Sequence, residues 1–334
     1  CIRDRPAPGA RVQVPFGRRL RTGVVMELGD DSEFPRSKLK EVRQTLDAEP
    51  LLSADDLWLI RFISDYYHHP IGEVAAAALP ALLRQGKPLV PARQCCALTD
   101  AGRSLDPDTI AGRAPKQAAL LRALADHSPI TFDALDERLP GWRRTRKALI
   151  DKGLIEEIEL AAEAARQPAE AVSDPQDGPL LNADQNRALD TIRETDGFRV
   201  TLLDGVTGSG KTEVYLHLIR ETLAAGRQVL VLAPEIGLTP QLVRRFRRRL
   251  GIEPVLLHSG LTDTARLEAW RAARNGDAPL IVGTRSAVFV PLCKPGLIIV
   301  DEEHDASLKQ QEGLRYSARD MAVARGKKLD IPVV

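Results

Sequence analysis

What the 334-residue sequence lacks sets its first limits. There is no long apolar run. The longest nearly uncharged apolar stretch, Val74 to Leu83, is about half of the ~20 residues that a membrane-spanning helix needs, and it contains Pro80. No membrane partner is expected. Cysteine is scarce, and Cys1, Cys95, Cys96 and Cys293 form neither a C-x-x-C metal knuckle nor a paired disulfide framework. That usage points to a reducing, cytoplasmic setting. An excess of either charge is also missing: 47 Lys+Arg against 46 Asp+Glu leave a net charge of +1. A polyanionic partner must therefore be met by local patches rather than bulk attraction. No basic-then-apolar leader opens the chain. It begins with Cys1 rather than methionine and stops at Val334 inside what reads as a buried strand, so a piece of a longer protein is expected. With 43% hydrophobic and 28% charged residues the remaining composition is that of a folded globular protein. Its length exceeds the ~250–300 residues that one core usually serves, so more than one domain is expected.

Residues 11–28 alternate apolar and polar positions on either side of a basic, glycine-containing turn, the pattern of a β-hairpin. A helical pattern follows, from a cap at Ser53 through Leu57, Ile60, Ile63 and Tyr67. An Ala-rich helix then stops at Arg84-Gln85-Gly86-Lys87-Pro88, closing a first domain over 1–90. Residues 105–162 carry three short helical patterns and a β-turn, the order of a winged helix-turn-helix. Its third helix holds Arg143, Arg144, Arg146 and Lys147. These are either the solvated face of a surface helix or a groove-entering face, in which case Arg143, Arg144 and Lys147 contact DNA. Residues 163–180 lack periodicity and read as a linker. From 181 to 334 the runs RVTLLD, QVLVLA, PVLLH, LIVG and LIIVD alternate with helical stretches, as fully buried parallel strands do. The expected fold class is multidomain α/β: a P-loop, doubly wound parallel sheet preceded by a winged helix and a small β-rich unit.

The chemistry concentrates at two places. Gly205-Val206-Thr207-Gly208-Ser209-Gly210-Lys211-Thr212 follows the expected strand Val200 to Asp204 and opens the expected helix Glu213 to Ala224, the G-x-x-x-x-G-K-[ST] phosphate loop in its proper context. Glycines let successive N–H groups of Gly205, Thr207, Gly208, Ser209 and Gly210 face phosphate oxygens at a helix N-terminus. Lys211 supplies a point charge to the β- and γ-phosphates, and the Thr212 hydroxyl suits Mg²⁺. The second place is Leu297-Ile298-Ile299-Val300-Asp301-Glu302-Glu303-His304, an apolar strand delivering acids at its carboxyl end, where ligands of open α/β sheets bind. Asp301 would hold Mg²⁺ and Glu302 would deprotonate the attacking water. Together they imply ATP and Mg²⁺ as cofactors, with Lys211, Asp301 and Glu302 as the catalytic set. A third feature, the run Arg244, Arg245, Arg247, Arg248 and Arg249, is either a solvated amphipathic helix or an added attraction for a DNA backbone.

The D-E-E-H tetrad after G-V-T-G-S-G-K-T-E-V-Y resembles the PriA family of replication-restart helicases, superfamily-two motors of the DExH type. Support for the resemblance runs along nearly the whole chain. It implies an ATP-dependent DNA helicase whose lobe one occupies 181–334 and whose first domain binds a three-prime DNA end. It implies that Gln185 of Leu181-Asn182-Ala183-Asp184-Gln185 bonds the adenine edge. It further implies that Thr239, Thr284 and Arg285 grip single-stranded DNA, and that His304 links nucleotide state to DNA. The segment Lys309 to Asp320 corresponds to a family loop that couples DNA binding to hydrolysis, with Arg315 and Arg319 as DNA contacts and Leu314 where a tryptophan is usual. VPFGRRLRTGVV and DYYHHPIGEV resemble the end-binding domain. Implied partners are forked and single-stranded DNA, single-strand-binding protein and other primosome proteins, with the protein a monomer. Zn²⁺ is implied only for a part absent from this sequence. This stretch alone is expected to bind ATP and DNA but hydrolyse poorly, since the second lobe supplies the charge-stabilising arginine. Competing readings are another superfamily-two fork-remodelling motor and a nucleotide-switched DNA-binding regulator.

Overall fold

The computed structural model describes residues 6–334 apart from 33, 91, 162–177, 195–196, 207 and 235–239. Most of the expected linker, together with Thr207 and Thr239, lies outside the described residues. The chain divides into two compact units, residues 90–165 and the remainder. Among the described residues no helix is long and apolar enough to cross a membrane.

The larger unit opens with the hairpin Arg11–Phe16 and Arg19–Val24, paired from Arg11 opposite Val24 to Phe16 opposite Arg19. The two-residue connection begins at Gly17, whose φ of +60° the tight turn requires. The short strand Gln44–Thr45 adds to the other edge. Arg11 is fully buried, with Nε and Nη2 donating to the Asp47 carboxylate and Nη1 to the carbonyls of Leu83 and Lys87. The hairpin is thereby tied to the end of the short helix Ala81–Arg84. Helix Ala54–Tyr66 starts on a reciprocal cap between Ser53 and Asp56. Pro80 separates Ile71–Ala77 from Ala81–Arg84, so the Ala-rich stretch is broken rather than one helix.

Four strands build a parallel sheet in the order Pro295–Val300, Gln228–Leu232, Leu280–Gly283, Val255–Leu257. Period-two alternation sends their side chains to two cores. Val229, Val231, Leu297 and Ile299 pack with Val214, Leu218 and Ile219 of the helix Lys211–Ala224. Leu230, Leu232, Ile298 and Val300 pack on the other face with Leu267 and Trp270 of Asp263–Asn275 and with Met321 and Ala322 of Ala318–Leu329. That second core also contains Leu57, Ile60, Ile63, Val74 and Leu83. Residues 1–89 thus share apolar contacts with the sheet layer. Trp270 Nε1 donates to Ala78 O at 3.0 Å, and Arg274 donates to the carbonyls of Leu51 and Pro50.

One expected strand is nearly lost. Only Val200 of the stretch Val200 to Asp204 pairs, bridging Val333, which in turn bridges Ile298. Leu202 is accordingly 73% exposed. The following helix begins at Lys211 rather than Glu213.

The smaller unit has the antiparallel strands Ala92–Leu98, Ile130–Thr131 and Ile155–Ala161, with the first in the middle. Helices Pro115–Asp126, Phe132–Arg138 and Trp142–Asp151 cover it through Leu120, Leu124, Leu135, Trp142 and Leu149. The central strand contains Cys95 and Cys96, both buried, and burial pushes the Cys96 thiol up to about 11.

Candidate nucleotide cleft

The phosphate-loop turn is built from left-handed glycines, with φ +86° at Gly208 and +84° at Gly210, where a side chain would strain the backbone. Gly205 lacks room for another reason: a Cβ there would stand 2.7 Å from Ser209 Oγ. Gly210 caps the helix Lys211–Ala224, so Lys211 and Thr212 occupy its first turn. The Lys211 side chain curls back over the turn and its Nζ donates to Gly205 O at 2.6 Å. Gln185 lies against the same turn, in the first turn of helix Ala183–Arg193. Its Oε1 accepts from Asn182 N–H at 2.9 Å, while its Nε2 donates to Ser209 O at 3.0 Å. Both ends of the amide are thus spent on protein groups.

Across the cleft, strand Pro295–Val300 ends at Asp301, whose N–H donates to Leu232 O at 2.8 Å. Glu302 has φ +48°, a left-handed conformation uncommon for a non-glycine residue and recurrent at functional sites. Burial, and then the Glu302 charge, raise the Asp301 pKa above the ordinary carboxylate value. Lys211 and a hydrogen bond from the Tyr215 hydroxyl oppose the shift. Tyr215 follows Lys211 by four residues, hence on the same helix face, and burial raises its own pKa. His304 Nε2 lies 3.8 Å from Glu302. Gly205 and Lys211 of the turn share one cleft of about 650 Å³ with Glu302 and Glu303, and Tyr215, His304 and Arg319 also line it.

Arg319, which the resemblance makes a DNA contact, lies at this cleft, donating to Glu303 at 2.8 Å and to Asp320 at 3.0 Å. The reason is helical phase: it is the second residue of Ala318–Leu329, whose buried side packs on the sheet beside the acids. The basic run Arg244 to Arg249 falls on the helix Pro240–Leu250. Arg245 and Arg249 converge on the buried Glu213 at 2.6 and 2.7 Å, while Arg247 pairs with Glu253. Much of that run is internally neutralised.

A separate groove of about 220 Å³ gathers Thr284, Arg285, Arg266, Ser307 and Gln310, with Arg285 Nη1 donating to Ser307 O at 3.1 Å. A third, of about 560 Å³, joins Arg315, Lys309 and Gln311 to Tyr67. In the smaller unit Arg143 pairs with Asp136 and lies over the Phe132 and Trp142 rings, while Arg144 and Lys147 of the same helix are exposed.

Comparison with known proteins decides the lineage. Residues 2–80 match the family model of the PriA 3′ DNA-binding domain (3′BD), and residues 182–331 match the DEAD/DEAH box helicase model. Replication restart protein PriA of Haemophilus influenzae is 41% identical over 331 residues, 98% of this chain and 45% of that protein. The chain belongs to the PriA family. PriA of Bacillus subtilis is 32% identical over 98% of the chain and 49% of its own length, and that of Chlamydia trachomatis 34% over 98% and 44%. The chain therefore spans a little under half the length of the curated PriA proteins it matches. The solved UvsW helicase of bacteriophage T4 is a faint likeness, 16% identical with a TM-score of 0.34 over 71% of this chain and 80% of that one.

The sequence reading missed Tyr215, the Glu303–Arg319 pair and Glu213. Tyr215 carried a usable signal, its four-residue spacing from Lys211. The others depend on contacts made only in the fold.

Proposed function

We propose that the full-length protein is an ATP-dependent DNA helicase that acts at forked DNA in replication restart. The observation that carries this reading is the one cleft lined by Gly205 and Lys211 from the phosphate-loop turn and by Glu302 and Glu303 from the acid strand's end. Backbone N–H groups of the turn would hold the phosphates, and Lys211 would exchange Gly205 O for the β- and γ-oxygens. The donor set fits Mg²⁺: Thr212 and Asp301 offer oxygen only, and the Asp301 carboxylate is crowded by a second acid whose repulsion a dication would relieve. Mg²⁺ there would neutralise charge on the transferring phosphoryl group. Glu302, at the mouth of the cleft, would orient the attacking water and take its proton.

Thr284, Arg285 and Arg315 would contact single-stranded DNA in the neighbouring grooves. The 92–161 unit would act as a winged helix in which Arg144 and Lys147 meet phosphates. The N-terminal hairpin unit would receive a three-prime DNA end, and single-strand-binding protein and other primosome proteins would be partners of the whole. The test is ATP turnover by the full-length protein with and without forked oligonucleotide. A motor responds to the fork with a severalfold rise, whereas a nucleotide-switched regulator shows little stimulation and would displace this reading.

A further inference from the structure

Tyr215 has no role in the proposed hydrolysis, yet its hydroxyl donates to the Asp301 carboxylate. Its helix, Lys211–Ala224, brings it there: four residues beyond Lys211, it lies on the same helix face. The residue is 6% exposed and belongs to the apolar core with Leu218, Ile219 and Ile299, while it also lines the cleft beside Lys211 and Glu302. A buried tyrosine of this kind keeps its ring in the core and turns its polar tip to a partner. Glu213, two residues earlier and so on the other side of the helix, is clamped by Arg245 and Arg249 at 2.6 and 2.7 Å. The helix is thereby held against rotation, and the hydroxyl is a fixed point.

The Asp301 carboxylate needs such a point. The Asp301 N–H donates to Leu232 O at 2.8 Å, which places the backbone at the sheet's end but leaves the side-chain torsion free. Two donors reach the carboxylate, the backbone N–H of Glu302 and the Tyr215 hydroxyl, with Lys211 attracting it through space. The Glu302 N–H belongs to the same turn as Asp301 and moves with it. Of the two, Tyr215 alone ties the side chain to another element. A neutral phenol also orients without neutralising, so the carboxylate keeps its charge and its remaining lone pairs for a cation. Glu303 makes the contrast, because Arg319 at 2.8 Å already answers its charge.

We propose that Tyr215 is a positioning residue that holds the Asp301 carboxylate in the orientation that receives Mg²⁺, so that one helix supplies the phosphate lysine, the Thr212 hydroxyl and the brace of the facing acid. The proposal rests on the nucleotide and Mg²⁺ reading given above. Partners that orient a metal-ligating carboxylate in this way carry about tenfold or more in metal affinity.

The test uses the full-length protein and a fluorescent ATP analogue, titrated once with Mg²⁺ and once with excess EDTA. The quantity read is the ratio of Kd in EDTA to Kd in Mg²⁺, which for wild type is well above one. Tyr215→Phe keeps the ring and removes the donor, so Kd in EDTA stays within about twofold while the ratio falls toward one, by up to about tenfold. Asp301→Asn lowers the ratio by itself, and the double variant falls no further, because the hydroxyl acts through that carboxylate. An unchanged ratio in Tyr215→Phe, whether from no loss or from equal loss with and without the metal, overturns the positioning role. So does a further fall in the double variant. A wild-type ratio of one overturns the Mg²⁺ reading, and failure of wild type to bind the analogue overturns the nucleotide reading, in each case taking the proposal with it.

Discussion

Replacing Arg11 by Met keeps an unbranched apolar stem of similar girth and removes the guanidinium that anchors the N-terminal hairpin. The side chains of Arg11 and Asp47 are 0% and 6% exposed, so the carboxylate would be left charged with no cation beside it and only the backbone N–H of residue 11 as donor. Lys87 O would lose the guanidinium donor at the same stroke, and Leu83 O would keep only the N–H of Gly86. Breaking a buried ion pair from one side costs ~3–5 kcal/mol, a large part of the ~5–15 kcal/mol that holds a whole domain folded. Equilibrium urea unfolding should show that loss, and limited proteolysis should cut within residues 1–89 first. Arg11→Met/Asp47→Leu removes the stranded charge and should regain part of the loss. It should not regain all, because the Lys87 carbonyl stays without its donor at ~1–3 kcal/mol. The reasoning is refuted if Arg11→Met unfolds within ~1 kcal/mol of wild type.

Gln185→Ala should weaken binding of ATP and GTP together, because the amide braces Asn182 and the turn carbonyl at Ser209. A loss confined to ATP would show instead that the side chain reads adenine. Arg144→Ala/Lys147→Ala should lower DNA affinity equally across sequences and flatten the dependence of log K on log salt by about one to two units, whereas an unchanged slope removes the smaller unit from the DNA path. Hydrogen bonds from Arg143 and Trp142 hold the Asp136 carboxyl below the usual range. Its ionised form is thus favoured in the folded unit, and the stability it lends is present above ordinary carboxylate pKa values and fades as pH falls through the depressed one. A carbon NMR titration should place the Asp136 midpoint below ~3.9, and Arg143→Gln should move it upward; a midpoint at or above the ordinary value would contradict the geometry.

The sequence was most legible where local rules decide structure. The hairpin at 11–24, the Ser53 cap and the three helices of 115–151 follow from alternation, capping chemistry and apolar spacing. The glycine turn and the acid strand were legible because phosphate chemistry admits few residue types. The central strand Ala92–Leu98 was not, since ARQCCAL has no clean alternation and becomes a strand through its pairing with Ile155–Ala161. Conversely, VTLLD reads as a strand, yet among the described residues it pairs only at Val200. Arg319 and the arginines of Pro240–Leu250 show the same limit from the charge side. Composition gives their charge, but not that Glu303, Glu213 and Glu253 pair with several of them.

Direct titration of a fluorescent ATP analogue with Mg²⁺ into wild type, Lys211→Ala and Glu302→Gln tests the central claim that a triphosphate lies between the turn and the acids. Glu302→Gln should keep the nucleotide while losing turnover, and Lys211→Ala should weaken binding at least about tenfold, the equivalent of ~1.4 kcal/mol. If Lys211→Ala binds as tightly as wild type, the triphosphate does not sit there and the account fails.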